Sequence, residues 1–176
     1  MTSKNMNIGA HFSTDKGLIG TVDACETING NAIQVFFKSP MNMKTKIKLT
    51  DEDAEQTKEA IKESGIFLVT HGSYLLNLCN PVDNSTKWLR DNLVEDLEFA
   101  DKCGSVGVVI HMGSQNVKIR GKKVTISYDE ALGNMIANIR EILNKFKGDA
   151  KIILETCSAE GAKIAKSVEQ FCQLYN

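Results

Sequence analysis

Three polar side chains close apolar segments of the chain, and their chemical types suit a metal ion. They are His71, His111 and Glu155, and the apolar segments before them are 66–69, 106–110 and 151–154. Neutral imidazole and carboxylate are groups with which proteins bind Zn²⁺ or a similar divalent ion. Intervals of 40 and 44 residues separate them, and in a strand–helix repeat such intervals bring successive strand ends side by side. The pattern therefore predicts a divalent-metal site.

The elements that would position these side chains alternate between strand and helix patterns. The predicted strands are 7–12, 32–37, 66–69, 106–110 and 151–154, and the predicted helices are 16–28, 51–64, 83–102, 128–146 and 159–174. The strands are continuous apolar runs, which predicts that both of their faces are covered. Five strand–helix units predict an α/β fold with a parallel sheet and right-handed crossovers. In such folds the functional sites lie at the carboxyl ends of the strands.

Local signals set the expected ends of two helices. Thr14 or Asp15 is expected to cap the first helix, because both side chains accept hydrogen bonds from exposed backbone N–H groups. Thr50 with Asp53 three residues later resembles a capping box for the second helix. Between these helices, the segment 41–48 is rich in lysine and is interpreted as a basic loop.

A second basic segment follows the fourth predicted strand. In residues 117–127 apolar side chains alternate with polar ones on both sides of a glycine-containing turn, which predicts a β-hairpin. The segment carries four cations and no acidic residue: Lys118, Arg120, Lys122 and Lys123. Because this hairpin would follow a strand end, the cations are expected at the same mouth as the candidate metal ligands.

Length and composition limit the classes of protein that remain. A chain of 176 residues with 42% hydrophobic content predicts a single domain, 1–176. The net charge of −1 provides no overall basic field for nucleic acid, so any such contact must come from a local patch. Five cysteines without a C-x-x-C pair favour reduced thiols and an intracellular location, cytoplasmic or nuclear. No segment approaches the ~18 apolar residues of a membrane span, which predicts no membrane partner.

Four blocks spread over the chain carry a specific family resemblance. They are IGAHFS (8–13), HGSYLLNLCNP (71–81), VVIHMGS (108–114) and ILETCSAEG (153–161). Together they resemble the endonuclease IV family of apurinic/apyrimidinic endonucleases. The resemblance implies a TIM-barrel type (β/α)₈ fold, here incomplete with about five βα units, because a full barrel rarely has fewer than ~200 residues.

The resemblance also implies an activity and a cofactor. Enzymes of this family use a trinuclear zinc centre to cleave the DNA backbone 5′ to abasic sites in base excision repair. By that resemblance, His71 and His111 would hold one Zn²⁺ and Glu155 would bridge it to a second, so that all three would be catalytic. The expected partner is double-stranded DNA that contains abasic sites.

Further residues match the family at the same mouth. His11 would lie just outside the ligand set, where it could orient a ligand or a phosphate, and a structural hydrogen bond is an equal alternative. Tyr74 and Leu75 match residues that the family inserts into the DNA minor groove, although they could also simply pack the loop. The family's arginine after strand two is missing from the segment 38–43. The cations of the 117–127 hairpin are hypothesised to contact DNA phosphates instead, and a solvated face is the alternative.

The remaining zinc ligands of the family lie on strands six to eight, and none of their motifs is present. The residues present supply ligands for one complete zinc site and half of a bridge, so family-level cleavage by this chain alone is not expected. The chain is interpreted as the N-terminal portion of a longer enzyme, with self-association as the other way to complete its core. Two functional alternatives stay open: a divalent-metal sugar isomerase or epimerase with a related barrel, and a non-catalytic DNA-binding remnant.

Overall fold

A computed structural model describes residues 6–47, 49–156 and 160–173. Within these ranges the strands are β1 (Gly9–His11), β2 (Ala32–Phe36), β3 (Lys38–Ser39), β4 (Asn42–Lys46), β5 (Phe67–His71), β6 (Gly107–His111), β7 (Asn116–Ile119), β8 (Lys122–Thr125) and β9 (Lys151–Glu155). The helices are α1 (Ile19–Thr27), α2 (Asp51–Ser64), α3 (Lys87–Lys102), α4 (Tyr128–Lys145) and α5 (Val168–Cys172), with a 3₁₀ turn at Asn84–Thr86.

Five strands form one parallel sheet in the order β1-β2-β5-β6-β9. A connection that contains a helix joins each of these strands to the next. Two of the connections also contain a hairpin: β3–β4 lies between β2 and α2, and β7–β8 lies between β6 and α4. This arrangement confirms the predicted α/β class, and the five βα units are those of an incomplete TIM-type barrel. Since all five strands run in the same direction, their carboxyl ends meet at one edge of the sheet.

The helices cover one face of the sheet. Ile33 on β2, Leu68 on β5 and Ile110 on β6 are buried on that face, and they pack against buried side chains of the helices such as Val22 on α1 and Leu93 on α3. The buried side chains form two adjoining clusters, one around α1 and α2 and the other between α3 and α4.

The opposite face is covered unevenly: the prediction that both faces are covered holds for β6, where residues 107–110 are all buried, and is wrong for β2, β5 and β9. Phe67 on β5 is 39% exposed, and Gln34 and Val69 on the same face are only half-buried. In a barrel this second face lines the interior, where apolar residues are as common as on the helix side. A continuous apolar run therefore does not distinguish a helix-covered face from a barrel-lining one.

The capping signals gave one correct and one incorrect helix start. Thr50 forms the predicted capping box with Asp53, the first turn of α2 is acidic, and Gly65 ends the helix with a φ of 68°. The first helix, however, starts at Ile19, and neither Thr14 nor Asp15 caps it. Gly17 has a φ of 81°, which a right-handed helix cannot contain, so the helix cannot begin at 16.

Two other predicted elements differ from the structure. The predicted loop 41–48 contains β4, which pairs antiparallel with β3 to form a hairpin; Lys48 lies outside the described residues. The predicted helix 159–174 is reduced to α5, and its two end positions also lie outside the described residues. Positive φ values at Gly161 and Ala165 and the backbone bridge between Ser114 and Lys163 hold the segment before α5 in a non-helical path.

The prediction of a hairpin after the fourth strand of the parallel sheet is confirmed. The 117–127 segment contains the predicted hairpin, β7–β8, and its turn residues Arg120 and Gly121 have φ values of 50° and 79°, as a type I′ turn requires. Cys25 and Cys103 are buried thiols that form no disulfide there, and burial raises the pKa of Cys103 to about 12. None of the described helices is both long and apolar enough to cross a membrane.

Candidate metal centre and nucleic-acid interface

His71, His111 and Glu155 converge at the carboxyl edge of the sheet. Each offers one ligand atom, and these three atoms lie within 4.8 Å of one another. The strand register explains the convergence: His111 on β6 pairs with Glu155 on β9, and His71 on β5 pairs with Val109, two residues before His111. Residues two apart on a strand share a face, so all three side chains project from the barrel-lining face.

His71 is fixed by a backbone hydrogen bond. Its Nδ1 lies 2.7 Å from the carbonyl oxygen of Gly72, which can only accept, so Nδ1 carries the proton. In the neutral ring, Nε2 then presents a lone pair to Glu155 Oε2 at a distance of 3.2 Å. Two acceptors facing each other lack a shared proton or cation, and a divalent ion between them would satisfy both. The donor set therefore fits the predicted metal.

His111 is also held in a form that suits a ligand. Its Nδ1 is buried and has no hydrogen-bond partner among the described residues. Burial lowers the pKa of His111, and the neighbouring His71 and Lys163 act in the same direction, whereas Glu155 opposes them. A neutral imidazole with an unpartnered ring nitrogen is ready to bind a cation.

An aromatic side chain that the sequence did not single out links the two sides of this edge. The Phe36 ring, at the end of β2, lies 4.6 Å from His11, 4.9 Å from His71 and 5.3 Å from Tyr74, measured between ring centroids. His11 shares the edge but is not part of the three-ligand cluster, since its Nδ1 bonds Gln34 Oε1 at 3.0 Å. Phe36 thus separates His11 from the ligands.

The loop 72–81 carries Tyr74 and Leu75 to the same edge. Asn77 ties this loop to the one after β6, because it donates to Ser114 O and accepts from Ser114 N. Gly113, with a φ of 88°, permits the close approach, since a Cβ there would stand 2.6 Å from Asn77 Oδ1. The structure therefore gives Asn77 a positioning role.

Tyr74 and Leu75 have the exposure that contact with a large partner requires. They are 53% and 46% exposed, whereas Leu76 and Leu78 in the same loop are buried. The Tyr74 ring also lies 5.5 Å from His71 and 5.4 Å from His111. Tyr74 therefore lies between the ligand cluster and the outer surface of the loop.

Lys163 is a cation near the ligands that the sequence pattern did not indicate. Lys163 lines a pocket of about 310 Å³ together with Tyr74, Asn77 and His111, and it is close enough to lower the pKa of His111. It lies in a segment that the sequence pattern assigned to a helix, where a lysine is an ordinary surface residue. No local pattern distinguishes it.

The cations of the β7–β8 hairpin have no acidic counterpart. Within the described ranges, none of Lys118, Arg120, Lys122 and Lys123 forms an ion pair. Lys118 and the turn residue Gly121 line a groove of about 600 Å³ together with Tyr74 and Leu75. The hairpin therefore adjoins the candidate DNA-contacting loop.

Two lysines that follow β2 form ion pairs with α3, unlike the cations of the β7–β8 hairpin. Lys38 is buried, and its Nζ lies 2.9 Å from Glu95 Oε2 and 2.8 Å from Asp96 Oδ1. Lys46 pairs with the same Glu95. Two of the cations that follow strand two are thus neutralised by α3, so this segment offers less charge to DNA than its composition suggests.

Comparisons with known proteins agree with the resemblance found in the sequence. A family model for AP endonuclease 2, described as xylose isomerase-like TIM barrel, matches residues 22–175. A putative endonuclease 4 of Acanthamoeba polyphaga mimivirus is 31% identical over 179 residues, which cover 98% of this chain and 54% of the viral protein. The chain thus spans little more than half the length of the curated relatives it matches.

Solved structures share the fold. Endonuclease IV from Thermus thermophilus matches with a TM-score of 0.71 at 23% identity, covering 94% of this chain and 56% of that one. A D-tagatose 3-epimerase-like protein matches with a TM-score of 0.65 at 16% identity, covering 95% and 60%. At these identities the matches establish the TIM-type architecture, which confirms the predicted fold class.

Proposed function

This chain belongs to the AP endonuclease 2 family of xylose isomerase-like TIM barrels, and from that premise we propose that it acts in DNA base excision repair. The proposed activity is zinc-dependent cleavage of the phosphodiester backbone 5′ to an abasic site, carried out by a protein of which these residues form the N-terminal part. Such a substrate implies an intracellular location, cytoplasmic or nuclear.

One observation carries the proposal: the ligand atoms of His71, His111 and Glu155 lie within 4.8 Å of one another. The three residues are far apart in the chain, and each stands at the end of a different strand. A chance grouping would not be expected to bring two imidazoles and a carboxylate from such distant parts of the chain to one point.

We assign the proposed zinc ligands to His71 Nε2, His111 and Glu155. A zinc ion held there would supply Lewis acidity and a water whose pKa is lowered to ~7. The protein's own contribution is to prepare the ligands: Gly72 fixes the tautomer of His71, and burial keeps His111 neutral. Glu155, whose side chain is 46% exposed, retains an open side toward solvent, which a bridging carboxylate needs.

Recognition of DNA is assigned to the neighbouring surface. Tyr74 and Leu75 are exposed beside the ligands and would insert next to the lesion, where a missing base lowers the cost of unstacking. Lys118, Arg120, Lys122 and Lys123 would contact phosphates, because no carboxylate among the described residues neutralises them. Lys163 is an additional candidate for a phosphate near His111. His11 would support this edge through Phe36.

The activity is tested on a duplex that contains one tetrahydrofuran abasic analogue. The chain, extended by the remaining βα units of its family if it is inactive alone, should incise this strand, and a chelator should abolish incision. Glu155→Gln should reduce the rate at least ~100-fold, as expected when a catalytic metal loses its carboxylate. Glu160→Gln, an exposed control in the segment after β9, should not.

Zinc content provides a readout independent of cleavage. Equilibrium dialysis followed by elemental analysis should find bound Zn²⁺ in the unmodified protein and less in His71→Asn and His111→Asn. His11→Asn serves as the matched control at the same edge and should retain its zinc. Equal zinc content in all four proteins would refute the ligand assignment.

The alternative in the same superfamily is a sugar isomerase or epimerase that uses a divalent ion. The D-tagatose 3-epimerase-like neighbour keeps this alternative open at the level of fold. An exposed Tyr74–Leu75 pair and an unneutralised basic hairpin favour DNA, because a small sugar needs neither. Interconversion of ketohexoses without incision of the abasic duplex would decide for the epimerase, and DNA binding without either reaction would indicate a non-catalytic remnant.

A further inference from the structure

A groove on the outer side of the Tyr74–Leu75 loop has no part in the ligand cluster. It encloses about 600 Å³ between that loop, the start of α3 and the tip of the β7–β8 hairpin. Among its lining residues are Tyr74, Leu75, Trp88, Asn116 and Lys118. We propose that this groove binds an unpaired DNA nucleotide, with its base stacked on Trp88; the inference rests on the proposed action on DNA.

The indole of Trp88 has the position of a stacking platform. Trp88 is the second residue of α3 and is 49% exposed. A large apolar side chain in that state leaves a flat surface in water, and nucleobases stack on such surfaces irrespective of sequence. Tyr74 and Leu75 line the same groove and add exposed apolar surface beside this platform.

The other groups in the groove suit a nucleotide better than a purely apolar ligand. The lining includes one amine, that of Lys118, and no carboxylate. The amide of Asn116 accepts from Thr125 Oγ1 through its Oδ1, while its Nδ2 makes no hydrogen bond to another described residue. An amide donor can meet a base edge, and the ammonium group can meet the adjoining phosphate.

The surroundings of the groove continue the proposed DNA path. Tyr74 forms part of the groove on one side and contacts His71 and His111 on the other. The hairpin that closes the groove carries Lys118, Arg120, Lys122 and Lys123, none of which is ion-paired within the described ranges. A strand that passes over Tyr74 and Leu75 would therefore reach the groove with its phosphates facing cations.

Intrinsic fluorescence tests the stacking directly, because Trp88 is the only tryptophan of the chain. A short oligothymidylate should quench this emission in a saturable manner. An oligomer of tetrahydrofuran phosphates with the same length and charge, which has no bases, should bind without comparable quenching. Equal quenching by both oligomers would overturn the base-stacking assignment.

Variants measure the contribution to affinity. With a dye-labelled oligothymidylate, Trp88→Ala should weaken binding about 10-fold, within the range for loss of one stacked base, and Trp88→Phe should preserve most of it. Binding of the baseless oligomer should be unchanged in both. Leu143→Ala, which truncates an equally exposed apolar side chain on α4, is the control and should leave both affinities unchanged.

The outcomes separate this inference from the proposed function. If Trp88→Ala binds oligothymidylate as the unmodified protein does while the abasic duplex is still bound or incised, only the groove assignment fails. If no oligonucleotide or duplex binds at all, both the groove assignment and the proposed action on DNA fail.

Discussion

Two β-hairpins flank the loop 72–81, and they use similar charges in opposite ways. The turn of the β3–β4 hairpin accepts hydrogen bonds from that loop, through Pro40 O to Ser73 Oγ and Tyr74 N. The β7–β8 hairpin is bonded to the loop from the other side, through Lys118 N and Asn80 Oδ1. Both hairpins are rich in lysine, and both adjoin the candidate site.

The difference lies in what faces each hairpin. Lys38 and Lys46 meet Glu95 and Asp96 on α3, whereas the β7–β8 cations adjoin a groove whose lining has no carboxylate. Charge in the first hairpin is therefore used to join it to the fold, and charge in the second remains available to a partner. The comparison teaches that the number of lysines in a segment does not predict a binding surface until their neighbours are known.

The largest effect should come from removing the buried lysine. Lys38→Met leaves Asp96 buried without its cation, and removing one partner of a buried pair typically costs 3–5 kcal/mol, so we expect a loss of about 3 kcal/mol in the free energy of unfolding. Urea denaturation measures this loss. The same change on the other hairpin, Lys122→Met, should cost less than about 0.5 kcal/mol, and equal costs would remove the distinction between the hairpins.

Neutralising the β7–β8 hairpin should change binding and leave the fold intact. With Lys118, Arg120, Lys122 and Lys123 all replaced by Ala, the slope of log affinity against log salt should become shallower by up to about 3.6, because each phosphate contact contributes about 0.9. Anisotropy of a labelled abasic duplex, titrated at several salt concentrations, measures this slope. Lys46→Ala is the control, and an unchanged slope in the quadruple variant would show that the hairpin is only a solvated face.

The third prediction concerns the pH dependence of the network around Lys38. Burial raises the pKa of Asp96 to about 6, although Lys38 opposes this shift. A carboxyl group whose pKa is higher in the folded state than in the unfolded state stabilises the fold fully at a pH below its unfolded pKa. That stabilisation is lost as the pH rises through the folded pKa, here about 6. Compared with Asp96→Asn, the unmodified protein should therefore gain about 2 kcal/mol as the pH falls from about 7 to about 4.5. If the free energies of unfolding of the two proteins changed equally with pH, this prediction would be contradicted.

The smallest effect is expected at the exposed end of the same network. Lys46 pairs with Glu95, and both side chains are about half exposed, so Lys46→Ala should cost only about 0.2–1 kcal/mol. Added salt should reduce that cost further, because exposed ion pairs are screened. A cost comparable to that of Lys38→Met would mean that exposure does not distinguish the two pairs.

The sequence predicted the features that depend on period and on strand ends. His71, His111 and Glu155 were placed together because parallel strands end at one edge, and the β7–β8 hairpin was recognised from alternation around its glycine turn. The β3–β4 hairpin was missed although Met43, Thr45 and Ile47 alternate with lysines, since the positive charge suggested a loop. The side chains of Trp88 and Lys163 belong to no periodic pattern. Their roles depend on which loops lie beside them.

The pairing of His111 with Glu155 across β6 and β9 has one further consequence. Side chains alternate between the two faces of a strand, so deleting a single residue within β9 would turn Glu155 toward the helices. Residues can be added to the connecting loops at a small and slowly growing entropic cost. Deleting two residues within β9 would keep Glu155 on its face but shift it by about 6.6 Å along the strand from His111, since each residue rises about 3.3 Å. The candidate ligand set thus fixes the length of β9 as well as its residue types.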